Sequence, residues 1–201
     1  MKKIKILRVI FDSNITQQEI PEFRGALVDK VGKENILFHN HRTDGSFIHD
    51  YPKIQYKRIR NRVCLFCIEK GIDEIQKLFL QKDWNIKLRN KTLGLQISSL
   101  NVNQFNLQVY ETRFYYRIWH WLALNQENFN KYIIIEELSD KTLFLEKILT
   151  GNILSMASGI GWNIDKQIEL KITEMKKQRT FIFKKHKFVG FDVDFYTNVF
   201  L

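Results

Sequence analysis

The sequence predicts an α+β fold of two sheet-rich units in tandem, the second incomplete, and three observations predict it. Apolar residues recur at period two over many short stretches, as in half-buried strands. These stretches are interrupted by others at helical spacing, in an order that begins strand, helix, strand, strand in both halves. Aromatic residues are many and chain breakers few: 16 Phe, 7 Tyr and 4 Trp stand against 2 Pro and 9 Gly in 201 residues.

The first strand is read from Ile4, Ile6 and Ile10, with Arg8 among them, alternating with Lys3, Lys5 and Leu7. The isoleucine side is the expected apolar face. Pro21 suits the first turn of a helix. In that helix Phe23, Ala26, Leu27 and Val31 share a face, and Gly32 ends it. After a polar stretch from His39 to Asp50, Ile54 and Tyr56 mark a strand. Arg60-Asn61 is a short hairpin turn, and Val63 to Ile68 reads as a central buried strand. Gly71 opens a second helix with Ile72, Ile75, Leu78 and Phe79 as its stripe, and Trp84, Ile86 and Leu88 alternate as a last strand. Strand, helix, strand, strand, helix, strand is the ferredoxin-like order, with helices on one face of an antiparallel sheet. The first domain is expected over 1–98.

A second ferredoxin-like domain is expected over 99–201. Phe105, Leu107 and Val109 alternate as its first strand. The run from Phe114 to Leu124 fits strand or helix, and its Tyr115, Tyr116, Trp119 and Trp121 read as core packing. Ser139 or Asp140 can cap a long helix buried through Leu145, Ile148, Leu149, Ile153 and Met156, with Gly159 and Gly161 at its end. Strands follow at Ile168 to Ile172, at Phe181 and Phe183, and from Val189 to Phe195. No second helix or final strand follows, so this domain reads as cut short.

The 32 basic residues outnumber 22 acidic ones, a net charge of +10 and a pI near 9.5. Such a balance points to a polyanionic partner, nucleic acid first. Two cysteines, Cys64 and Cys67, do not make a disulfide framework. No signal peptide is recognisable and no apolar run has the length of a membrane span, so the expectation is a cytoplasmic protein without a membrane partner.

Basic residues gather in three zones. Lys57, Arg58, Arg60 and Arg62, with Lys53, flank the first hairpin. Lys87, Arg89 and Lys91 follow Trp84. Lys176, Lys177, Arg179, Lys184, Lys185 and Lys187 surround the second hairpin. Tyr51, Tyr56 and Phe181 are interleaved with them as candidate stacking surfaces for bases; solvated charged faces are the alternative.

Of five histidines, His39, His41 and His49 fall within one eleven-residue segment, His120 and His186 elsewhere. An imidazole can take a proton from a hydroxyl and return one to a leaving group. RNA brings its own nucleophile, the 2′-OH, so such a segment needs no metal to cut it, and nearby Lys or Arg would stabilise charge on the phosphate. The alternatives are loop histidines satisfied by hydrogen bonds, or a zinc site shared with Cys64 and Cys67. The latter is disfavoured because those cysteines sit in a strand pattern rather than a turn.

The stretches Ile20-Pro-Glu-Phe-Arg-Gly-Ala26, Leu37-Phe-His-Asn-His41 and Tyr51-Pro-Lys-Ile-Gln-Tyr-Lys57 resemble the CRISPR-associated repeat endoribonucleases of the sixth Cas family. Trp121-Leu-Ala-Leu-Asn-Gln-Glu127 and Phe144-Leu-Glu-Lys-Ile-Leu-Thr-Gly-Asn-Ile-Leu154 extend the resemblance over nearly the whole chain. It implies two tandem ferredoxin-like domains, also called RNA-recognition-motif-like. It implies metal-independent cutting of CRISPR repeat RNA by 2′-OH attack, without a cofactor, to give mature guide RNAs. The family's catalytic histidine, after the first helix, falls on His39 or His41. His41 is the preferred general base and His39 the residue that orients it, with Tyr51, His49 and Lys53 as assisting candidates. The partners implied are repeat RNA and other CRISPR-associated proteins, for a monomer or homodimer. A non-catalytic RNA-binding subunit of a CRISPR effector complex is the alternative. One departure stands out: the family's glycine-rich ending has no counterpart after Gly190, so the chain reads as truncated or shortened.

Overall fold

The computed structural model describes residues 1–39, 51–183 and 186–201, with the backbone alone at 182, 183, 186 and 187. It divides into two units, Lys2–Asn106 and Leu107–Leu201, Met1 aside. Each carries its own sheet. The boundary expected at 98/99 falls inside a strand of the first unit.

The first unit runs β1 (Lys2–Asn14), α1 (Ile20–Val31), β2 (Ile54–Ile59), β3 (Arg62–Ile68), α2 (Lys70–Glu74), α3 (Gln76–Phe79), β4 (Asn85–Lys87), β5 (Thr92–Gly94) and β6 (Ile97–Leu107). Its main sheet has the order β2-β3-β1-β6, the ferredoxin-like arrangement. The segment read as the closing strand, Trp84 to Leu88, instead forms a separate two-stranded hairpin, β4 with β5. The sheet is closed by β6, whose approach begins where the Asp12 amide donates to the Gln96 carbonyl at 2.7 Å.

The helix α1 starts where sequence rules place it. The Thr16 amide donates to Glu19 Oε2 at 2.7 Å in the preceding turn, and Pro21 occupies the first helical turn. Gly32 stops it at φ +99, a conformation that side chains other than hydrogen strain to adopt. Phe23, Leu27, Val28 and Val31 are buried against the sheet, each contributing about 1.5–3 kcal/mol of apolar burial. Gly71 is required by proximity, since a Cβ there would lie 2.4 Å from the Lys53 carbonyl oxygen.

From Ile6 onward the phase of β1 is the reverse of the sequence expectation, although Ile4 is itself buried. Leu7, Val9 and Phe11 join the core under the helices, while Ile6 and Ile10 are only half-buried and Arg8 is exposed. Both phases of this strand are rich in apolar side chains, so alternation alone does not choose between them.

The second unit runs β7 (Val109–Trp121), α4 (Gln126–Ile133), α5 (Leu138–Gly159), β8 (Leu170–Phe183) and β9 (His186–Val199), with sheet order β7-β9-β8. The expected order of strand, helices and two strands is present, but its first strand is β7, in the run that fitted strand or helix, whereas Phe105 and Leu107, read as that first strand, end β6 of the first unit. The apolar runs at 170–172 and 181–183 belong to one long strand rather than two. Asn125 caps α4 by accepting from the Asn128 amide at 2.8 Å. Leu145, Leu149, Ile153 and Ala157 of α5 are buried. Glu146, also buried, accepts from the Ile172 amide at 2.9 Å and so ties α5 to β8. The aromatic run in β7 is not all core. Strand alternation leaves Tyr115 72% and Trp119 56% exposed. Among the described residues, no helix is long and apolar enough to cross a membrane.

Candidate functional site

The chain enters the histidine segment through a short 3-10 turn, Ile36–Phe38, that is held from several sides. Asn35 is buried and its Nδ2 donates to the Val31 carbonyl at 2.6 Å, while Lys77 donates to its Oδ1. Phe38 is 1% exposed and belongs to the core. Its carbonyl accepts from the Tyr56 hydroxyl at 2.8 Å. The next carbonyl, that of His39, accepts from the Arg24 guanidinium. Two side chains, one from α1 and one from β2, thus grip consecutive carbonyls where the segment begins.

The His39 ring is itself engaged. Its Nε2 lies 2.6 Å from the Lys33 carbonyl oxygen, which can only accept, so Nε2 carries a proton and donates it. That tether fixes the ring's orientation. His41 and His49 lie outside the described residues. Tyr51 and Lys53 are half-buried where the chain returns, and the Lys53 carbonyl accepts from the Ile68 amide at 2.8 Å. The structure therefore places the two ends of the histidine segment beside the same sheet, one at Phe38–His39 and the other at Tyr51–Lys53.

Tyr56, expected as a stacking surface for bases, instead faces the core. Its ring meets Phe23 edge-on at 5.8 Å, and burial pushes its hydroxyl far above the ordinary tyrosine range. It serves as a hydrogen-bond donor to the backbone rather than as a base.

The first basic zone is split by the pleat. Lys57 pairs with Cys64, and Ile59 with Arg62, across the sheet; Arg8 pairs with Phe66 and Ile10 with Cys64. Lys57, Arg62 and Arg8 therefore share the sheet face away from the helices. Lys57 stands 4.6 Å from the centre of the Phe66 ring, and loss of water around its ammonium lowers its pKa. Arg58 points the other way. Its Nε donates to the Ile15 carbonyl at 2.8 Å and another nitrogen donates to Asn61, so it braces the hairpin. Arg60 and Asn61 form the turn itself at φ +48 and +69. The second zone is engaged at the start of α1: Lys91 pairs with Glu19 at 2.7 Å and Arg89 with Glu22 at 4.0 Å.

In the second unit, Arg117 binds Asp194 through two bonds of 2.5 and 2.7 Å, and Lys176 approaches the same carboxylate at 3.4 Å. Arg179 pairs at 3.2 Å with Asp192, which is 1% exposed and also accepts from the His120 amide at 2.8 Å. That amide, then Arg179, holds the Asp192 carboxyl below its ordinary range. His120 lies in the left-handed region at φ +55, a strain that this bond helps to hold. Lys177 is exposed. Lys184 and Lys185 lie outside the described residues, as does the side chain of Lys187. The ring of Phe181 lies edge-on to His120 at 5.3 Å.

Asp194 makes a testable pH device. Arg117 first, then Lys176, lowers its carboxyl from 3.8 to about 2. A lowered folded-state value means that its ion pairs contribute fully above 3.8 and are lost as pH falls through about 2. Asp194→Asn is expected to be less stable than the parent chain at neutral pH, with the gap closing on acidification through that window. Acid unfolding followed by circular dichroism measures it; a gap that stays constant to the acid end refutes the assignment.

Among the described residues, no group of three or more His, Cys, Asp or Glu side chains is placed to hold a metal ion. Cys64 and Cys67 are buried free thiols, and burial pushes the Cys67 thiol up to about 12. Sequence reasoning did not single out Arg8, which the structure places on the same sheet face as Lys57 and Arg62. Its signal was present: one arginine within an otherwise apolar strand phase.

Comparison with known proteins gives a consistent picture. The family profile of the Cas6b N-terminal domain matches residues 2–106, and that of the Cas6b C-terminal domain matches residues 108–201. An uncharacterized protein of Methanocaldococcus jannaschii is 36% identical over 80 residues, which are 39% of this chain and 52% of that protein, about half its length. Among solved structures, a crystal structure of Cas6b superimposes with a TM-score of 0.86 at 26% identity, covering 100% of this chain and 91% of that one. A second, described as the CRISPR RNA processing endoribonuclease Cas6b, gives 0.72 at 21% identity over 100% and 90%; at that identity the likeness is one of fold.

Proposed function

Because this chain belongs to the Cas6b family, whose two domains it carries in order, we propose that it cuts CRISPR repeat RNA by means of the RNA's own 2′-hydroxyl, without a metal. The match of both family domains is the observation that carries this reading. The gripped entry to the histidine segment supports it locally, because a general base must be held within hydrogen-bond reach of its proton.

In the proposed reaction the 2′-oxygen attacks the adjacent phosphorus and its proton passes to a histidine. The bond from phosphorus to the 5′-oxygen breaks, and that oxygen takes a proton. The products end in a 2′,3′-cyclic phosphate on one side and a 5′-hydroxyl on the other. His41 is the proposed base. His39, with Nε2–H given to Lys33, is a positioning residue. Tyr51, His49 and Lys53 are candidates for protonating the leaving oxygen or stabilising phosphate charge. Lys57, Arg60 and Arg62 in the first unit, and Lys176, Lys177 and Arg179 in the second, are proposed contacts to the RNA backbone.

The test uses the repeat RNA of the source genome in EDTA, beside copies carrying one 2′-deoxy nucleotide at each candidate position. Cleavage that survives the chelator and is abolished by a single deoxy substitution is the expected result. Specific binding with no cleavage would instead assign the chain to a non-catalytic RNA-binding role.

A further inference from the structure

On the sheet face away from its helices, the first unit holds a depression of about 680 Å³ lined by Arg8, Ile10, Arg60, Arg62, Ser98 and Ser99. Its walls come from five parts of the fold, with Ile59 at the end of β2 completing the lining. Arg8 and Ile10 stand on β1, Arg60 on the β2–β3 turn, Arg62 on β3, and the serines on β6. The strand order β3-β1-β6 brings these together although the serines and Arg8 are far apart in sequence.

The three arginines differ in how they are held. Arg62 is fixed, with one nitrogen 3.2 Å from Asp12 Oδ1 and another donating to Ser98 Oγ at 2.8 Å. Arg8 and Arg60 make no ion pair among the described residues. That sets them apart from Arg89, Arg113, Arg117 and Arg179, each of which meets a carboxylate. Arg60 also occupies a left-handed backbone position, φ +48, which a glycine or asparagine would adopt more easily. Two guanidiniums without a counter-charge among the described residues, beside a third that is held still, form a concave donor array suited to a tetrahedral anion. Ile10 supplies an apolar wall, and the volume suits a nucleotide unit rather than a bare phosphate.

We propose that this depression seats a backbone phosphate of the bound RNA, with Arg8 and Arg60 as the guanidiniums that face it, Arg62 as a fixed third donor and the attached ribose against Ile10. The proposal rests on the repeat-RNA reading above, gathers Arg60 and Arg62 of that reading into one seat, and adds Arg8 of β1 and the β6 serines to it.

The test compares the full chain with the double variant Arg8→Gln, Arg60→Gln and with Arg8→Lys, Arg60→Lys, which keeps both charges. Repeat-RNA affinity is measured across a salt series. The Gln variant is expected to bind about tenfold more weakly at moderate salt, with the slope of log K against log salt shallower by about one to two. The Lys variant is expected to keep the parent's slope, which separates charge from folding. Parent-like affinity and slope in the Gln variant, while the parent binds normally, overturn the phosphate seat and leave the endoribonuclease reading in place. A Lys variant that loses as much slope as the Gln variant also overturns it, since retained charge should retain the counter-ion release. A parent that neither binds nor cuts repeat RNA removes the reading beneath the proposal and the proposal with it. In a final arm adenosine 5′-monophosphate replaces the RNA. Uptake by the parent that the Gln variant abolishes, with the RNA slope unchanged, marks a free-nucleotide site and overturns the RNA assignment.

Discussion

His41→Ala is expected to slow single-turnover cleavage of repeat RNA by about 10²–10⁴-fold, while the chain still binds that RNA. The argument runs through its neighbour. His39 has committed its Nε2 proton to the Lys33 carbonyl, and its own carbonyl is held by Arg24. In the proposed reading the tethered ring sets the direction of the chain and His41 takes the 2′-hydroxyl proton. His39→Ala is therefore expected to cost less than His41→Ala, and to do so by loosening the segment. If both variants cut within about twofold of the parent, less than the smallest contribution expected of a general base, neither histidine takes the proton.

Phe38→Ala is expected to have the largest effect on stability. The side chain is 1% exposed and packs in the main core of the first unit. Truncating a buried phenylalanine costs about 3–5 kcal/mol in transfer and cavity terms, which lowers the melting temperature of a domain this size by more than about 10 °C. Function should fall with it, because the Phe38 carbonyl is the acceptor for Tyr56 and leads directly into His39. Thermal unfolding followed through Trp84, which stacks on Phe79 at 5.6 Å in the same unit, reads the loss. A cost under about 1 kcal/mol, well short of a buried-phenylalanine truncation, would show that the 3-10 turn is not anchored through this ring.

What the sequence made readable was local chemistry. Pro21 and Gly32 bracket α1 because their backbone limits leave little choice. Arg60-Asn61 forms the hairpin turn because two residues join runs of matching alternation. What it left unreadable depends on neighbours far along the chain. The phase of β1 was ambiguous because Ile6 and Ile10 compete with Leu7, Val9 and Phe11, and only the position of the helices decides. The strand β6 was partly hidden because Ser98, Ser99, Asn101, Asn103 and Asn106 dilute its apolar period at the sheet edge, while Ile86 and Leu88 offered a stronger signal nearby. The same limit applied to the site. The histidine segment stood out by composition, but Arg58 and Lys57 look alike until the pleat sends one to brace the hairpin and the other to the opposite face. Tyr115 and Trp119 read as core because aromatic content does not say which side of a strand meets water.

The central place of β1 in its sheet has a consequence for how the chain acquires its structure. One edge of β1 meets β3, with Leu7 opposite Cys67; the other meets β6 at the far end of the unit. The first strand of the unit thus waits for its last before both edges are satisfied, and closing so long a loop is entropically slow. The β8–β9 hairpin has the opposite character, since Phe181 lies opposite Phe188 and pairing can spread from a local start. Folding of the two halves should therefore separate in time, the late-synthesised hairpin zipping quickly while the early-synthesised sheet closes behind a topological barrier.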